Sequence, residues 1–214
     1  MPATVDYDAF TGMLKTAADR IITNRDHLSK LDAATGDGDH GTAMAKVANA
    51  IIATIDSHEG NDLKKLLKAI GWAAMSTDAG STSPLYGSLF VGMSEAVPEG
   101  SGELDCQVLA SVMESGAAKL RKNTKAEVGD KTMIDTLVPA LAALRAAADS
   151  GKAIDEALSD AETAAATGAA STKDLKATFG RAKNLGDRSI GHLDPGATSM
   201  SLLFTGLKEG LAAN

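Results

Sequence analysis

A chain of 214 residues is long enough to bury a sizeable core, and a formal net charge of −7 argues against a nucleic-acid or anionic-membrane surface. Hydrophobic residues make up 44% and aromatics only 3%, so the core must come from Ala, Leu, Ile, Val and Met, which suit closely packed helices. Cys106 is the only cysteine, which excludes an intrachain disulfide and a CxxC site, and no apolar run approaches the roughly 18 residues of a membrane span.

From the N-terminus, Met1 to Asp8 carries Asp6 and Asp8 and has neither a basic leader nor an apolar stretch, which points to the cytoplasm. Phe10, Met13, Leu14, Ala17, Ile21, Leu28 and Leu31 then recur at spacings of three, four and seven, predicting a first helix. Asp32 and the stretch Thr35-Gly36-Asp37-Gly38-Asp39-His40-Gly41 follow, before a second helical pattern at Met44, Val47, Ala48, Ile51, Ile52 and Ile55. Three carboxylates gathered at a glycine turn repel one another unless a cation neutralises them, so this turn is a candidate Mg²⁺ site facing phosphates. Its start resembles an EF-hand loop, but no Glu stands at the twelfth position, which weighs against calcium. The plainer alternative is a solvated acidic helix connection, since loops also favour Asp and Gly.

Leu63 to Met75 and Leu85 to Ala96 predict the next two helices. Between them, Gly80-Ser81-Thr82-Ser83-Pro84 offers hydroxyls that either cap the following helix or, with its free amides, hold an anion. No Gly-Lys-Ser/Thr follows, so this is not a Walker A loop. Leu104, Val108, Leu109, Val112, Met113 and Leu120 mark a helix with Cys106 in a structural place near its start. Gly129-Asp130-Lys131-Thr132-Met133-Ile134-Asp135 opens the helix from Met133 to Ala148. There Asp130 or Thr132 serves as a cap, and Met133 either packs in the core or presents a soft surface to a purine. Ile154 to Ala170 is helical, as is Ala197 to Leu211.

The long loop between these last two contains Gly180-Arg181, Gly186 to His192 and Asp194-Pro195-Gly196. Arginine there offers either a planar fork for phosphate or a surface ion pair. His40 is either a phosphate donor or a structural histidine. The count is eight helices with no convincing alternating strand, which gives an all-α class. Short connections make successive helices antiparallel, so one up-and-down bundle spanning residues 1–214 is expected.

Taken together, Asp32…Asp37-Gly-Asp39-His40-Gly41, Ser81-Thr82…Pro84-Leu85-Tyr86-Gly87, Gly129 to Asp135 and Asp194-Pro195-Gly196-Ala197 resemble the nucleotide-binding L subunit of dihydroxyacetone kinase. The resemblance covers almost the whole chain in the same order. It implies a barrel of eight antiparallel helices with a nucleotide, ADP or ATP, and two Mg²⁺ ions at one end. By that resemblance Asp32, Asp37 and Asp39 hold the metals. His40, Gly41, Thr42 and Ala43 lie against the phosphates with Ser81 and Thr82, Met133 packs on the base, and Arg181 approaches the nucleotide. Asp194, Pro195 and Gly196 close the pocket. Many relatives have glycine where Ser83 precedes Pro84, which leaves the phosphate loop less free here, and Thr124 stands where the resemblance leads one to expect a glycine near the nucleotide.

The resemblance further implies a phosphotransferase in which no side chain forms a covalent intermediate. The ketose is held on a separate K subunit, and bound ADP is rephosphorylated in place by a phosphotransferase-system M subunit. Alternatives are an ATP-dependent kinase subunit for another short ketose such as a tetrulose, and a non-catalytic nucleotide-sensing module. A plain helical scaffold would respond to neither nucleotide nor Mg²⁺.

Overall fold

The computed structural model describes residues 4–213; Met1, Pro2, Ala3 and Asn214, the ends of the expected 1–214 unit, lie outside the described residues. The described chain is built from nine α-helices: α1 Tyr7–Thr23, α2 Arg25–Thr35, α3 His40–Ser57, α4 Leu63–Met75, α5 Thr82–Ala96, α6 Cys106–Leu120, α7 Ile134–Asp149, α8 Ile154–Ser171 and α9 Pro195–Ala212. The all-α expectation holds. The first periodic stretch divides in two at Asn24, whose backbone leaves the helical region at φ −94° and ψ 11° and whose side-chain amide donates to the Arg20 carbonyl at 2.8 Å, ending α1 before α2 begins. The hydrophobic pattern hides this break, since Ile21 and Leu28 stay in phase across it.

Two strands also form, β1 Thr4–Asp6 and β2 Glu103–Asp105, paired antiparallel with Val5 opposite Leu104. Three residues are too few for an alternating pattern to declare itself, although both Val5 and Leu104 are buried. Each strand ends on an aspartate that caps the next helix. Asp6 accepts from Ala9 N–H at 2.9 Å and Asp105 from Val108 N–H at 2.7 Å, so the ribbon ties the starts of α1 and α6 together.

Helices adjacent in sequence pack together from α3 through to α9, and both α3 and α9 pack on α1, so the order of contacts closes on itself. Helix α2 stands against α3 and α9. Close approach is permitted by glycine. A Cβ built on Gly206 of α9 would lie 2.3 Å from the Ala17 Cα of α1, and one on Gly71 of α4 would meet the backbone of Gly87 and Val91 in α5. Pro139 inside α7 cannot donate to the Asp135 carbonyl, and α8 crosses at that carbonyl through Gly168. Between these contacts the interior is filled by aliphatic and methionine side chains, with Phe10, Tyr86, Phe90 and Phe204 as its largest members. No helix among the described residues is long and apolar enough to cross a membrane.

Candidate nucleotide and metal site

Connections α2–α3, α4–α5, α6–α7 and α8–α9 contribute to one cavity of about 500 Å³, within the size range of small-molecule sites. The polar, glycine-bearing breaks of the sequence therefore meet at one place. Of the fifteen residues expected there, Asp32, Asp37, Asp39, His40, Ala43, Ser81, Thr82, Thr124, Met133, Arg181, Asp194, Pro195 and Gly196 line it. Gly41 and Thr42 do not: Gly41 is seated on α2, where an added Cβ would fall 1.9 Å from the Arg25 carbonyl oxygen, and the Thr42 side is exposed.

One wall is acidic. Asp32, Asp37 and Asp39 each bring a carboxylate oxygen within 4.8 Å of the others. Asp32 is half-buried and accepts the His40 N–H at 3.1 Å, whereas Asp37 and Asp39 are exposed. Arg181 pairs with Asp37 and lies 3.7 Å from Asp39, so in this arrangement a guanidinium offsets part of the charge. An all-carboxylate oxygen set matches a hard divalent cation such as Mg²⁺, and thiolate or imidazole ligands are not among the three. The His40 ring is 3.0 Å from the Ser199 hydroxyl. Burial pushes its imidazole below the ordinary pKa, against the opposing pull of Asp32 and of a hydrogen bond to Pro195.

The α4–α5 loop departs from the expected capping. Helix α5 begins at Thr82, three residues earlier than its apolar pattern, and Ser81 at its N-cap makes no capping bond. Ser83 is buried instead, donating to the Thr77 carbonyl at 2.7 Å and accepting from Ala79 N–H at 3.2 Å. A glycine there could do neither. Ser81 and Thr82 face the cavity.

A second wall is enclosed. Asp130 does not cap α7; it accepts from Glu127 N–H and Thr178. Asp135 reaches back from the first turn of α7 to accept from Gly129 N–H at 2.6 Å and Thr132 N–H at 2.7 Å, folding the loop that presents Met133. Thr132 accepts the Ile134 N–H on its hydroxyl oxygen at 3.2 Å. Asp194 caps α9 by accepting from Ala197 N–H at 2.7 Å. It is half-buried as a residue, yet its carboxyl group is enclosed, and burial pushes its pKa up to about 7.

Sequence reasoning gave no role to Tyr86, Asn123, Lys131, Phe179 or Ser199, all of which line the cavity. Tyr86 sits inside an apolar helix and reads as core, while Phe179 lies in a stretch without periodicity. Burial pushes the Tyr86 phenol up to about 12, which keeps it neutral. Lys131 would pass for a surface lysine, and only its place between Gly129 and the start of α7 could have drawn attention to it.

With this geometry in place, the chain was compared with known proteins. The model of the DAK2 domain matches residues 34–209. The ADP-binding subunit DhaL of PEP-dependent dihydroxyacetone kinase 1 from Listeria innocua is 41% identical over 201 residues, covering 94% of this chain and 95% of that subunit. Its Escherichia coli counterpart, also PEP-dependent, is 34% identical, covering 89% and 90%. Among solved structures, the dihydroxyacetone kinase of C. freundii in complex with AMP-PNP and Mg²⁺ superposes with a TM-score of 0.73 at 27% identity. That match takes in 94% of this chain but spans only 33% of the kinase.

Proposed function

The chain belongs to the DAK2 domain family, and from that premise we propose that it is the ADP/ATP-binding part of a dihydroxyacetone kinase, acting as one domain over residues 1–214. The observation that carries this reading is that Asp32, Asp37 and Asp39, each with a carboxylate oxygen within 4.8 Å of the others, line the same cavity as Met133. A phosphate chain and a purine need those two surfaces in one slot.

In this reading Asp32, Asp37 and Asp39 hold two Mg²⁺ ions, which when bound neutralise charge on the phosphates. His40 and Ala43 border the phosphates, while Gly41 and Thr42, which do not line the cavity, contribute through the backbone amides of the same helix N-terminus, which favour anions. Ser81 and Thr82 donate from the second loop, and Ser83 keeps that loop folded. Met133 and Thr124 border the base, Arg181 moves between the carboxylates and the nucleotide, and Asp194, Pro195 and Gly196 close the slot. No nucleophilic side chain takes part. The chain's work is to align the terminal phosphoryl group with a ketose hydroxyl and to exclude water while the bond to ADP breaks.

The relatives matched over nearly their whole length are named as ADP-binding subunits, which supports a ketose held on a separate K subunit. The Listeria innocua and Escherichia coli relatives, both matched over nearly their whole length, are PEP-dependent, which supports a cytoplasmic cycle in which bound ADP is rephosphorylated by an M subunit. Purification under native conditions, followed by release of nucleotide, tests the proposal. Stoichiometric ADP that exchanges slowly with free ATP is expected. Rapid exchange would point to ATP as a substrate, as in kinases for dihydroxyacetone or a tetrulose. Absence of any nucleotide binding in the presence of Mg²⁺ would overturn the reading, and binding without transfer to a K-bound ketose would favour a nucleotide-sensing module.

A further inference from the structure

Lys131 occupies surroundings that are costly for a lysine twice over. It is the only non-glycine residue with positive φ among the described residues, at 62°, and it is 2% exposed. Left-handed backbone is disfavoured for a residue with a Cβ, and an ammonium taken out of water needs partners. Both costs are met by what the side chain joins. Its Nζ donates to the carbonyl oxygens of Thr172 and His192. Burial lowers its pKa, while Asp194, Asp135 and Asp174 pull the other way and favour the charged form.

These contacts bridge three separate segments. Lys131 itself lies on the loop that Asp135 folds and that presents Met133. Thr172, fully buried at the end of α8, accepts the Asp194 N–H on its hydroxyl oxygen at 3.0 Å. His192 precedes the same Asp194 turn. The turn and Met133 are neighbours, since a Cβ built on Gly196 would lie 3.7 Å from Met133 N. An apolar side chain in place of Lys131 would withdraw the ammonium from the Thr172 and His192 carbonyls and leave Asp194 and Asp135 without a nearby cation.

We infer that Lys131 is a positioning residue for the nucleotide: its ammonium fastens the Met133 loop to the Asp194–Gly196 turn and so holds as one surface the enclosed wall that takes the base. The inference rests on the nucleotide reading of the cavity, but the clamp itself can be tested without nucleotide. Lys131→Met removes the ammonium at similar length. Lys131→Gly removes it while suiting the positive φ, and serves where the methionine variant fails to fold.

Hydrogen exchange on the nucleotide-free protein should speed up in both 129–134 and 191–197, which are distant in sequence. Affinity for Mg·ADP, measured well below the melting temperature, should fall at least about tenfold, because small misplacements of a binding wall are costly. A purely structural lysine would lower the melting temperature and leave the affinity of the folded protein unchanged. Wild-type affinity, or faster exchange confined to 129–134, in either folded variant overturns the inference. Failure of the unsubstituted protein to bind Mg·ADP overturns both the positioning role and the proposed function, whereas native-like exchange in the variants overturns the clamp alone.

Discussion

The two walls of the cavity are built in opposite ways. On the acidic wall, Asp37 and Asp39 are exposed, and their charge is offset by Arg181, a half-exposed side chain from a distant 3-10 segment spanning Arg181–Ser189. On the other wall, Lys131 and Asp135 are each 2% exposed, and their charges are taken up by hydrogen bonds from or to the backbone. The difference suits the role proposed for each wall. Carboxylates that await a cation must remain accessible and incompletely paired, whereas a surface that orients a base works best when it is already formed.

The largest expected effect lies on the acidic wall. Asp37→Asn, or the same change at Asp32 or Asp39, should reduce phosphoryl transfer by on the order of 10²–10³-fold, since each removes charge from the proposed site of metal binding. The metal-free protein should melt no lower than the parent, because fewer like charges crowd the turn. Full activity at limiting Mg²⁺ in the Asp37 and Asp39 variants would show that the exposed carboxylates are only solvated.

A second change asks whether the acidic wall is rigidly seated despite its exposed tips. Gly41→Ala places a Cβ 1.9 Å from the Arg25 carbonyl oxygen and 2.6 Å from the Ser29 hydroxyl, so α3 must move off α2. Overpacking of this kind should cost about 3 kcal/mol, lowering the melting temperature by roughly 6–12 °C for a chain of this size. A melting temperature within a degree of the parent would mean that the α2–α3 contact is soft.

On the enclosed wall, pH provides the probe. The folded-state pKa of Asp194 is raised to about 7 by burial, so the folded protein keeps a proton that the unfolded chain releases near pH 4. Stability should therefore fall as pH rises through the window from about 4 to 7 and level off above it, with Lys131 moderating the loss. Asp194→Asn retains a cap for Ala197 N–H and removes this drift. Relative to the variant, the parent should lose on the order of 2 kcal/mol across the window in denaturant titrations. Parallel stability profiles would mean that the carboxyl is hydrated.

The smallest effect concerns the base. Met133→Ala should weaken nucleotide binding several-fold, by about 1 kcal/mol of lost contact, while single-turnover transfer at saturation stays close to that of the parent. A large loss of transfer with unchanged affinity would remove Met133 from the binding wall.

The acidic wall was far more legible in the sequence than the enclosed one. Asp32, Asp37 and Asp39 stand within one short stretch, and their spacing with glycine states the chemistry locally. Lys131, Asp135, Thr172 and Asp194 are brought together by tertiary contacts across α7, α8 and the loop before α9, so no local pattern reports them. The same reason explains the fold's surprises. Helical periodicity reveals buried faces but passes over a one-residue break such as Asn24, and a strand pair of three residues is too short to alternate visibly. Ser83 illustrates the remaining gap: a serine after Ser81-Thr82 reads as another capping hydroxyl, whereas its neighbours in space turn it inward to brace the loop.

The central claim, that this cavity holds a metal nucleotide whose phosphoryl group passes to a ketose on another subunit, is tested most directly by a single turnover. The chain loaded with Mg·ATP is mixed with a K subunit carrying dihydroxyacetone, and dihydroxyacetone phosphate is followed with time. The account predicts about one phosphorylated ketose per loaded chain, ADP retained on this protein, and no product from the Asp37→Asn variant. Loaded nucleotide that remains unconsumed in a stable complex with the K subunit, or equal product from the Asp37→Asn variant, would contradict it.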